Sequence, residues 1–254
     1  MYRLDGKRAL VLCGTRGIGL GVARCLAGRG STVTVTGRDP SQAAETAGSL
    51  PGTGHSSFAC DFGKAAEVGA KVAETGPYDI ILLNSPGYSP GTVDQLSAAR
   101  LEQSLQLMLL SIQSAAEAAL PGMKRNHWGR LIGITSSSLS VPIAGLAGST
   151  IARSAVQSYL KLLAESVGRF GITVNYVLPG KIDTDRLRTV EAATAEKLGT
   201  DAASVKAATL ESIPLGRYGT PQDVGELVAF LASDQAGYIT GTGIRCDGGY
   251  LKSI

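Results

Sequence analysis

What most limits the fold of this 254-residue chain is a rhythm of two alternating patterns. Short apolar or β-branched runs occur at Ala9–Cys13, Thr32–Thr36, Ile80–Leu83, Arg130–Thr135 and Thr173–Leu178. Between them lie longer stretches of helical pattern at Ile18–Ala27, Ser41–Ser49, Lys64–Glu74, Gln95–Ala119 and Ser149–Val167. The runs are nearly continuously apolar, as strands covered on both faces must be. In the longest helical stretch Leu101, Leu105, Met108, Ile112 and Ala115 recur at three and four residues, with Asp94 in front as a cap. A strand–helix–strand repeat implies parallel strands joined by right-handed crossovers. The expected class is α/β: a single domain over residues 1–254, with one doubly wound parallel sheet and helices on both faces.

One segment breaks the rhythm. Asp183 to Ile213 is polar and alanine-rich, which predicts one or two loosely attached helices. Inserted after a strand, at the edge where ligands bind, residues 183–213 read as a substrate lid; a decorative helical insertion is the alternative.

Composition excludes several classes. Hydrophobic residues at 44% supply a large core, and a net charge of +3 without basic runs gives no face for nucleic acid. Cys13, Cys25, Cys60 and Cys246 lie far apart, and His55 and His127 are the only histidines. Neither a metal site nor a disulfide framework is expected from them. No apolar run reaches membrane-spanning length, and the stretch from Met1 to Arg8 has no apolar signal core, so a cytoplasmic protein is expected.

Directly after the first strand comes Cys13-Gly14-Thr15-Arg16-Gly17-Ile18-Gly19, opening the first helix. Glycines there let the backbone approach a pyrophosphate, which the helix N-terminus attracts. A site for NAD places a carboxylate at the end of the second strand to hold the ribose 2′-hydroxyl. This chain has Thr36-Gly37-Arg38 instead. Arg38, with Arg16 on the other side, suits a 2′-phosphate, so NADP(H) is the expected cofactor. Two solvated arginines are the plain alternative.

Gly14 to Gly19, Asp61, Asn84-Ser85-Pro86-Gly87, Pro179-Gly180-Lys181-Ile182-Asp183-Thr184 and Asp247-Gly248-Gly249 stand in the order found in short-chain dehydrogenases/reductases. The chain resembles that family over essentially its whole length, in the manner of 3-oxoacyl-carrier-protein reductases. The resemblance implies a Rossmann-type fold, a nicotinamide cofactor, and a homo-oligomer, tetramer or dimer. It implies that Asp61 binds the adenine amino group, that Asn84, with Gly87 in the same turn, orders the strand end beside the cofactor, and that Thr184, after Pro179, Gly180 and Ile182, holds the carboxamide. The family pattern has glycine where Cys13 stands.

At the chemical end the pattern fails. The family uses a tyrosine as proton donor, a lysine four residues later, a serine after the fifth strand, and an asparagine in the preceding helix. Aligned through Ile134-Thr135-Ser136, the serine is Ser136, but the tyrosine position is Ser149, the lysine position Arg153 and the asparagine position Met108. Arg153 can still hold the ribose hydroxyls, yet it does not deprotonate and so cannot shuttle a proton. Tyr88 and Lys181 are candidate replacement acids, Tyr176 reads as core, and Ser137 and Ser138 as turn residues. Leu139, Val141, Ile143 and Leu146 suggest an apolar pocket wall, and Arg186 and Arg188 suit an acidic group; ordinary packing and solvated charge are the equal alternative.

The reading is an NADP(H)-dependent oxidoreductase acting on a carbonyl or hydroxyl group of a small-molecule substrate, free or carrier-bound, through Ser136, Ser149 and Arg153. The alternatives are a non-redox enzyme (isomerase, dehydratase or cyclase) and an NADPH-binding non-catalytic protein on the same scaffold.

Overall fold

The computed structural model describes residues 2–143 and 145–253; Met1, Ala144 and Ile254 lie outside the described residues. Seven parallel strands form one sheet in the order β3-β2-β1-β4-β5-β6-β7. They are β1 (Arg8–Val11), β2 (Thr32–Gly37), β3 (Ser56–Ala59), β4 (Ile80–Leu83), β5 (Gly129–Ile134), β6 (Ile172–Pro179) and β7 (Gly243–Cys246). The order reverses between β1 and β4, so the C-terminal ends of those strands open a crevice. Val11 pairs with Val35 on one side and with Leu82 on the other, which places the exits of β1, β2 and β4 side by side.

The helices are α1 (Gly17–Gly28), α2 (Pro40–Gly48), α3 (Ala65–Thr75), α4 (Ala98–Leu105), α5 (Ser111–Asn126), α6 (Ala147–Val167), α7 (Asp185–Leu198), α8 (Ala202–Glu211) and α9 (Pro221–Leu231). Two apolar cores result, one on each face of the sheet. The first joins β-strand residues such as Val11 and Ile80 to Val22 and Leu26 of α1 and Val224 and Val228 of α9. The second joins Leu10 and Ile81 to Val72 of α3, Ile112 of α5 and Leu160 of α6. β5 and β6 are buried along their full length, and the polar residues they carry, Arg130, Thr173 and Asn175, are buried with them. Asn175, fully buried in β6, donates through Nδ2 to the Ile239 carbonyl at 2.7 Å and accepts from the Thr242 amide at 3.3 Å, tying β6 to the approach to β7.

The long helix predicted over Gln95–Ala119 is built differently. Asp94 lies in a single 3₁₀ turn, Val93–Gln95, and the cap of α4 is Ser97, whose Oγ accepts from the Arg100 amide at 3.3 Å. A π-turn over Gln106–Leu110 joins α4 to α5. α5 then runs through Pro121 to Asn126 and stops at His127, which adopts the left-handed conformation with φ 48°. Strand β1 ends at Val11 rather than at Cys13, because the chain turns into the left-handed region at Cys13. Between 183 and 213 the chain forms the two helices α7 and α8. α7 buries only Glu191 and Ala195, and α8 buries none of its residues.

Candidate cofactor cleft and active site

The cleft begins where β1 ends. Cys13 has φ 53°, and its amide donates to Thr36 Oγ1 at 3.1 Å while the Gly14 amide donates to the Thr36 carbonyl at 2.8 Å. The turn is thereby fixed to the exit of β2. α1 follows with Arg16 as its N-cap, in extended backbone and with no side-chain cap. Its first amides are left for a ligand, the arrangement that suits an anion. Gly19 is required by packing, since a Cβ there would run into the Cys13 carbonyl. Ile18 leans on the first core.

Gly37 has a physical cause as well. A Cβ at this position would lie 2.7 Å from Cγ2 of Thr15, so no carboxylate side chain enters here unless Thr15 moves. Arg16 and Arg38 are both exposed, and each is near enough for its charge to act on Cys13. Burial and the neighbouring Cys60 still push the Cys13 thiol well above the usual range, so it stays neutral. Among the described residues neither arginine has an acidic partner. A glycine turn with free helix amides, a blocked carboxylate position and two guanidinium groups without acidic partners, on the turns that follow the neighbouring strands β1 and β2, together fit a dinucleotide carrying a 2′-phosphate.

The other expected cofactor residues surround the same crevice. Asp61 is exposed at the exit of β3, its Oδ1 accepting from the Gly63 amide at 2.9 Å. Asn84 follows β4, with its amide turned onto the Leu82 carbonyl at 3.0 Å, and Gly87 stands in open space. Pro179 ends β6, and the Gly180 amide donates to the Cys246 carbonyl at 3.0 Å. Ile182 forms an isolated parallel bridge with Gly219. Thr184 caps α7 by accepting from the Leu187 amide at 3.4 Å, and a Cβ at Gly17 would sit 3.4 Å from its methyl group. The start of α7 therefore docks against the glycine turn.

At the chemical end Ser136 leaves β5 with its Oγ accepting from the Ser138 amide at 3.1 Å, which makes Ser137 and Ser138 part of a 3₁₀ turn. Ser149 and Arg153 lie one turn apart on α6. Nη1 of Arg153 donates to the Thr135 carbonyl at 2.5 Å, next to Ser136. Burial, and then the charge of Arg186, lower the Arg153 guanidinium to about 10, so at neutral pH it remains a cation. Met108 is fully buried in the centre of the π-turn, where the family pattern has its asparagine.

The candidate replacement acids are placed as follows. The Tyr88 ring lies against Gly148, where a Cβ would be 3.0 Å from Cδ1, but its hydroxyl donates to Gln103 Oε1 at 3.2 Å. It lines an outer groove with Gly63, Glu102 and Leu107. Tyr176 is buried in β6, as expected of core. The Lys181 ammonium sits 5.6 Å from the centre of the Tyr250 ring. No motif in the sequence points to Tyr250 as a neighbour of Lys181, because the contact joins segments far apart along the chain. Nor does one signal the hydrogen bond from the Tyr218 hydroxyl to the buried Glu191 carboxylate of α7. Arg188 is committed to Asp183 and Asp185, the latter at 2.8 Å.

Comparison with known proteins shows the family. The family model described as enoyl-(acyl carrier protein) reductase matches residues 13–251. D-beta-hydroxybutyrate dehydrogenase of Cupriavidus necator is 30% identical over 255 residues, covering 98% of this chain and 99% of that protein. A 3-oxoacyl-(acyl-carrier-protein) reductase of Pseudomonas aeruginosa is 32% identical over 259 residues, covering 98% and 99%. Among solved structures, a point variant of actinorhodin polyketide ketoreductase with NADPH aligns over 100% of both chains with a TM-score of 0.91 and 26% identity. YwfH, an NADPH-dependent reductase of bacilysin biosynthesis, aligns over 98% of this chain and 99% of its own, with a TM-score of 0.88 and 26% identity. The chain belongs to the short-chain dehydrogenase/reductase family of oxidoreductases, and its fold is the Rossmann-type sheet of that family. Among the described residues no helix is long and apolar enough to cross a membrane.

Proposed function

We propose that the protein is an NADP(H)-dependent oxidoreductase that interconverts a carbonyl and a hydroxyl group at a site without the family's tyrosine. The observation that carries the cofactor assignment is the placement of Arg16 after β1 and Arg38 after the neighbouring β2, where the Thr15–Gly37 contact fills the carboxylate position. The NADPH-dependent and NADPH-bound reductases among the similar structures support the same choice. Gly14, Gly17, Gly19, Asp61, Asn84 and Thr184 line the dinucleotide path, with α7 and α8 as the lid over it. The substrate is a small molecule, free or attached to a carrier, and the working unit is a homo-oligomer.

NADPH supplies hydride when bound. Ser136 and Ser149 donate hydrogen bonds to the substrate oxygen, and Arg153 holds the ribose hydroxyls and adds positive charge where negative charge develops. Serine is a far weaker acid than tyrosine, whose reference pKa is about 10. A lost general acid lowers the rate by ~10²–10⁴. A slow reductase is the consequence, with protons drawn from water in the crevice.

A second reading has its own observation. The Tyr88 hydroxyl is engaged by Gln103 and Tyr176 is buried, so neither phenol is free to serve the crevice. This favours chemistry that needs an oxyanion site rather than an acid, such as isomerisation or dehydration, or an NADPH-responsive binding role.

The experiment is Ser149→Tyr combined with Arg153→Lys, assayed by NADPH absorbance on a panel of ketones. The phenol then stands one helical turn from an ammonium group that lowers its pKa. The pair is expected to reduce ketones at least tenfold faster than the parent, and Ser149→Tyr alone by less. A double variant that binds NADPH normally yet reduces no faster than the parent overturns the reductase reading in favour of the second.

A further inference from the structure

Helix α6 carries Ser149 and Arg153 of the proposed site, yet its own sequence does little to fix where it begins. Its N-cap is Leu146, and no side chain caps it. One of its first amides takes a distant backbone partner instead, the Ala147 amide donating to the Gly91 carbonyl at 3.1 Å. The Gly91 amide in turn donates to the Gly145 carbonyl at 2.8 Å, and Gly91 and Leu146 form an isolated parallel bridge. The segment between β4 and α4 therefore holds the start of α6. That segment is itself held by α4. Arg100 donates through Nη2 to the Pro90 carbonyl and through Nη1 to the Gln95 carbonyl, both at 3.3 Å.

Two side chains of the segment reach α6. Tyr88 follows the Asn84–Gly87 turn directly, and its ring lies on the buried Gly148. A Cβ at Gly148 would stand 3.0 Å from Cδ1 and 3.2 Å from Cε1 of that ring, and 3.4 Å from Cδ1 of Leu96. At its other end the Tyr88 hydroxyl donates to Gln103 Oε1 of α4 at 3.2 Å. A close-packed ring fixed at both ends transmits position rather than absorbing it, so Tyr88 sets the spacing between α4 and the first turn of α6.

We infer that Tyr88 is a positioning residue: its ring, wedged between Gln103 and Gly148, sets the first turn of α6 and with it the Ser149 hydroxyl. The inference rests on the proposed role of Ser149 at the substrate oxygen. It gives this phenol a use other than acid catalysis, since the ring is what meets α6 while the hydroxyl is turned to α4. A misplacement of about 1 Å in a reacting group can cost ~10²-fold in rate. The glycine turn and Arg38 follow β1 and β2, on other elements, so the wedge acts on turnover more than on cofactor affinity.

The test is a double-mutant cycle of Tyr88→Ala and Gly148→Ala in the whole protein, with Tyr88→Phe beside it. NADPH oxidation on a ketone panel and hydrogen exchange over residues 145–155 are measured for each. Tyr88→Ala should lower kcat at least tenfold with the KM for NADPH within threefold of the parent, and should speed exchange at 147–153 while β5 stays protected. Tyr88→Phe, which keeps the ring, should recover kcat to within threefold. Gly148→Ala should lower kcat at least threefold in the parent, because its methyl group meets the ring, and have no further effect once Tyr88→Ala has removed the ring. Tyr88→Leu replaces Tyr88→Ala in the cycle if the latter does not fold. An unchanged kcat in Tyr88→Ala, or losses that simply add in the pair, overturn the inference. So does a Tyr88→Phe that loses as much kcat as Tyr88→Ala, since the hydroxyl and not the ring is then what matters. A parent that reduces no ketone refutes the proposed function, and the exchange data still decide the wedge. Exchange at 147–153 that is unchanged by Tyr88→Ala refutes it, while faster exchange in Tyr88→Ala with parental exchange in Tyr88→Phe supports it.

Discussion

Replacing Arg38 by alanine tests the cofactor assignment most directly. A phosphate monoester carries close to two negative charges at neutral pH. A hydrogen bond to a charged group contributes about 1.5–3 kcal/mol. Arg38 is exposed, so water and salt screen it and the lower end of that range applies. About 1.5 kcal/mol corresponds to roughly tenfold weaker NADPH binding. NADH, which has a hydroxyl in place of the phosphate, should bind to parent and variant alike. Arg16→Ala should act in the same direction, and the double variant by less than the product of the two, because both arginines address one phosphate. Raising the salt from about 0.1 M to about 0.5 M should narrow the gap between parent and variant. The assay is a titration following nicotinamide fluorescence with each cofactor. If the parent binds NADH as tightly as NADPH, or if Arg38→Ala weakens both equally, the two guanidinium groups are merely solvated and the assignment fails.

Two further outcomes follow from backbone and lid. Cys13 sits at φ 53°, a region where a β-branched side chain is a genuine outlier, so Cys13→Val should unfold at lower urea than Cys13→Gly by about 1–2 kcal/mol. Equal stability of the two would mean that the turn relaxes out of the left-handed region. Tyr218→Phe leaves the buried Glu191 carboxylate short of a donor, which costs about 1–3 kcal/mol, and should speed hydrogen exchange across 185–211 while β5 and β6 stay protected. Unchanged exchange in α7 would show that the lid is held by something else.

The parts of the fold that were legible were those with a strong local period. β4 and the buried strands β5 and β6 appear within one residue of the expected runs, because a fully covered strand leaves a run rich in apolar and β-branched residues. The breakdown came where tertiary contacts outweigh local pattern. The helical pattern over Gln95–Ala119 stops short, since α5 continues through Pro121 and Gly122 to Asn126. Asp94 reads as a cap, but a 3₁₀ turn intervenes and Ser97 takes the role. Helix α9 escaped the pattern altogether, although Thr220 and Asp223 form a complete capping box at its start, with Pro221 as the first helical residue. In the cleft, the glycine turn and Arg38 were legible because their spacing from the strands fixes their place. The hydrogen bond from Arg153 to the Thr135 carbonyl was not, since it joins α6 to the end of β5, and no spacing along the chain encodes that.

In the proposed site, the three departures from the family's catalytic pattern make physical sense as one change. A lysine beside a tyrosine lowers the phenol's pKa and passes a proton; with Ser149 in place of the phenol, that task is vacant, and only binding and charge remain. Arginine does both better than lysine, since it is a fixed cation with a donor fork, and Arg153 at about 10 is still fully charged at neutral pH. The asparagine of the relay likewise has nothing to deliver protons to. Left fully buried without a partner it would cost free energy, whereas the thioether of Met108 fills the same π-turn as apolar packing. Ser136 stands outside this chain of consequences, because its hydroxyl orients an oxygen whatever acid follows, and it keeps its place at the exit of β5. Met108→Asn alone should therefore destabilise the protein and leave ketone reduction unchanged. The same substitution should increase the rate only in a background that already holds Ser149→Tyr and Arg153→Lys. An increase from Met108→Asn by itself, measured with NADPH and a ketone, would mean that a proton path already runs through this helix and that the three positions are independent.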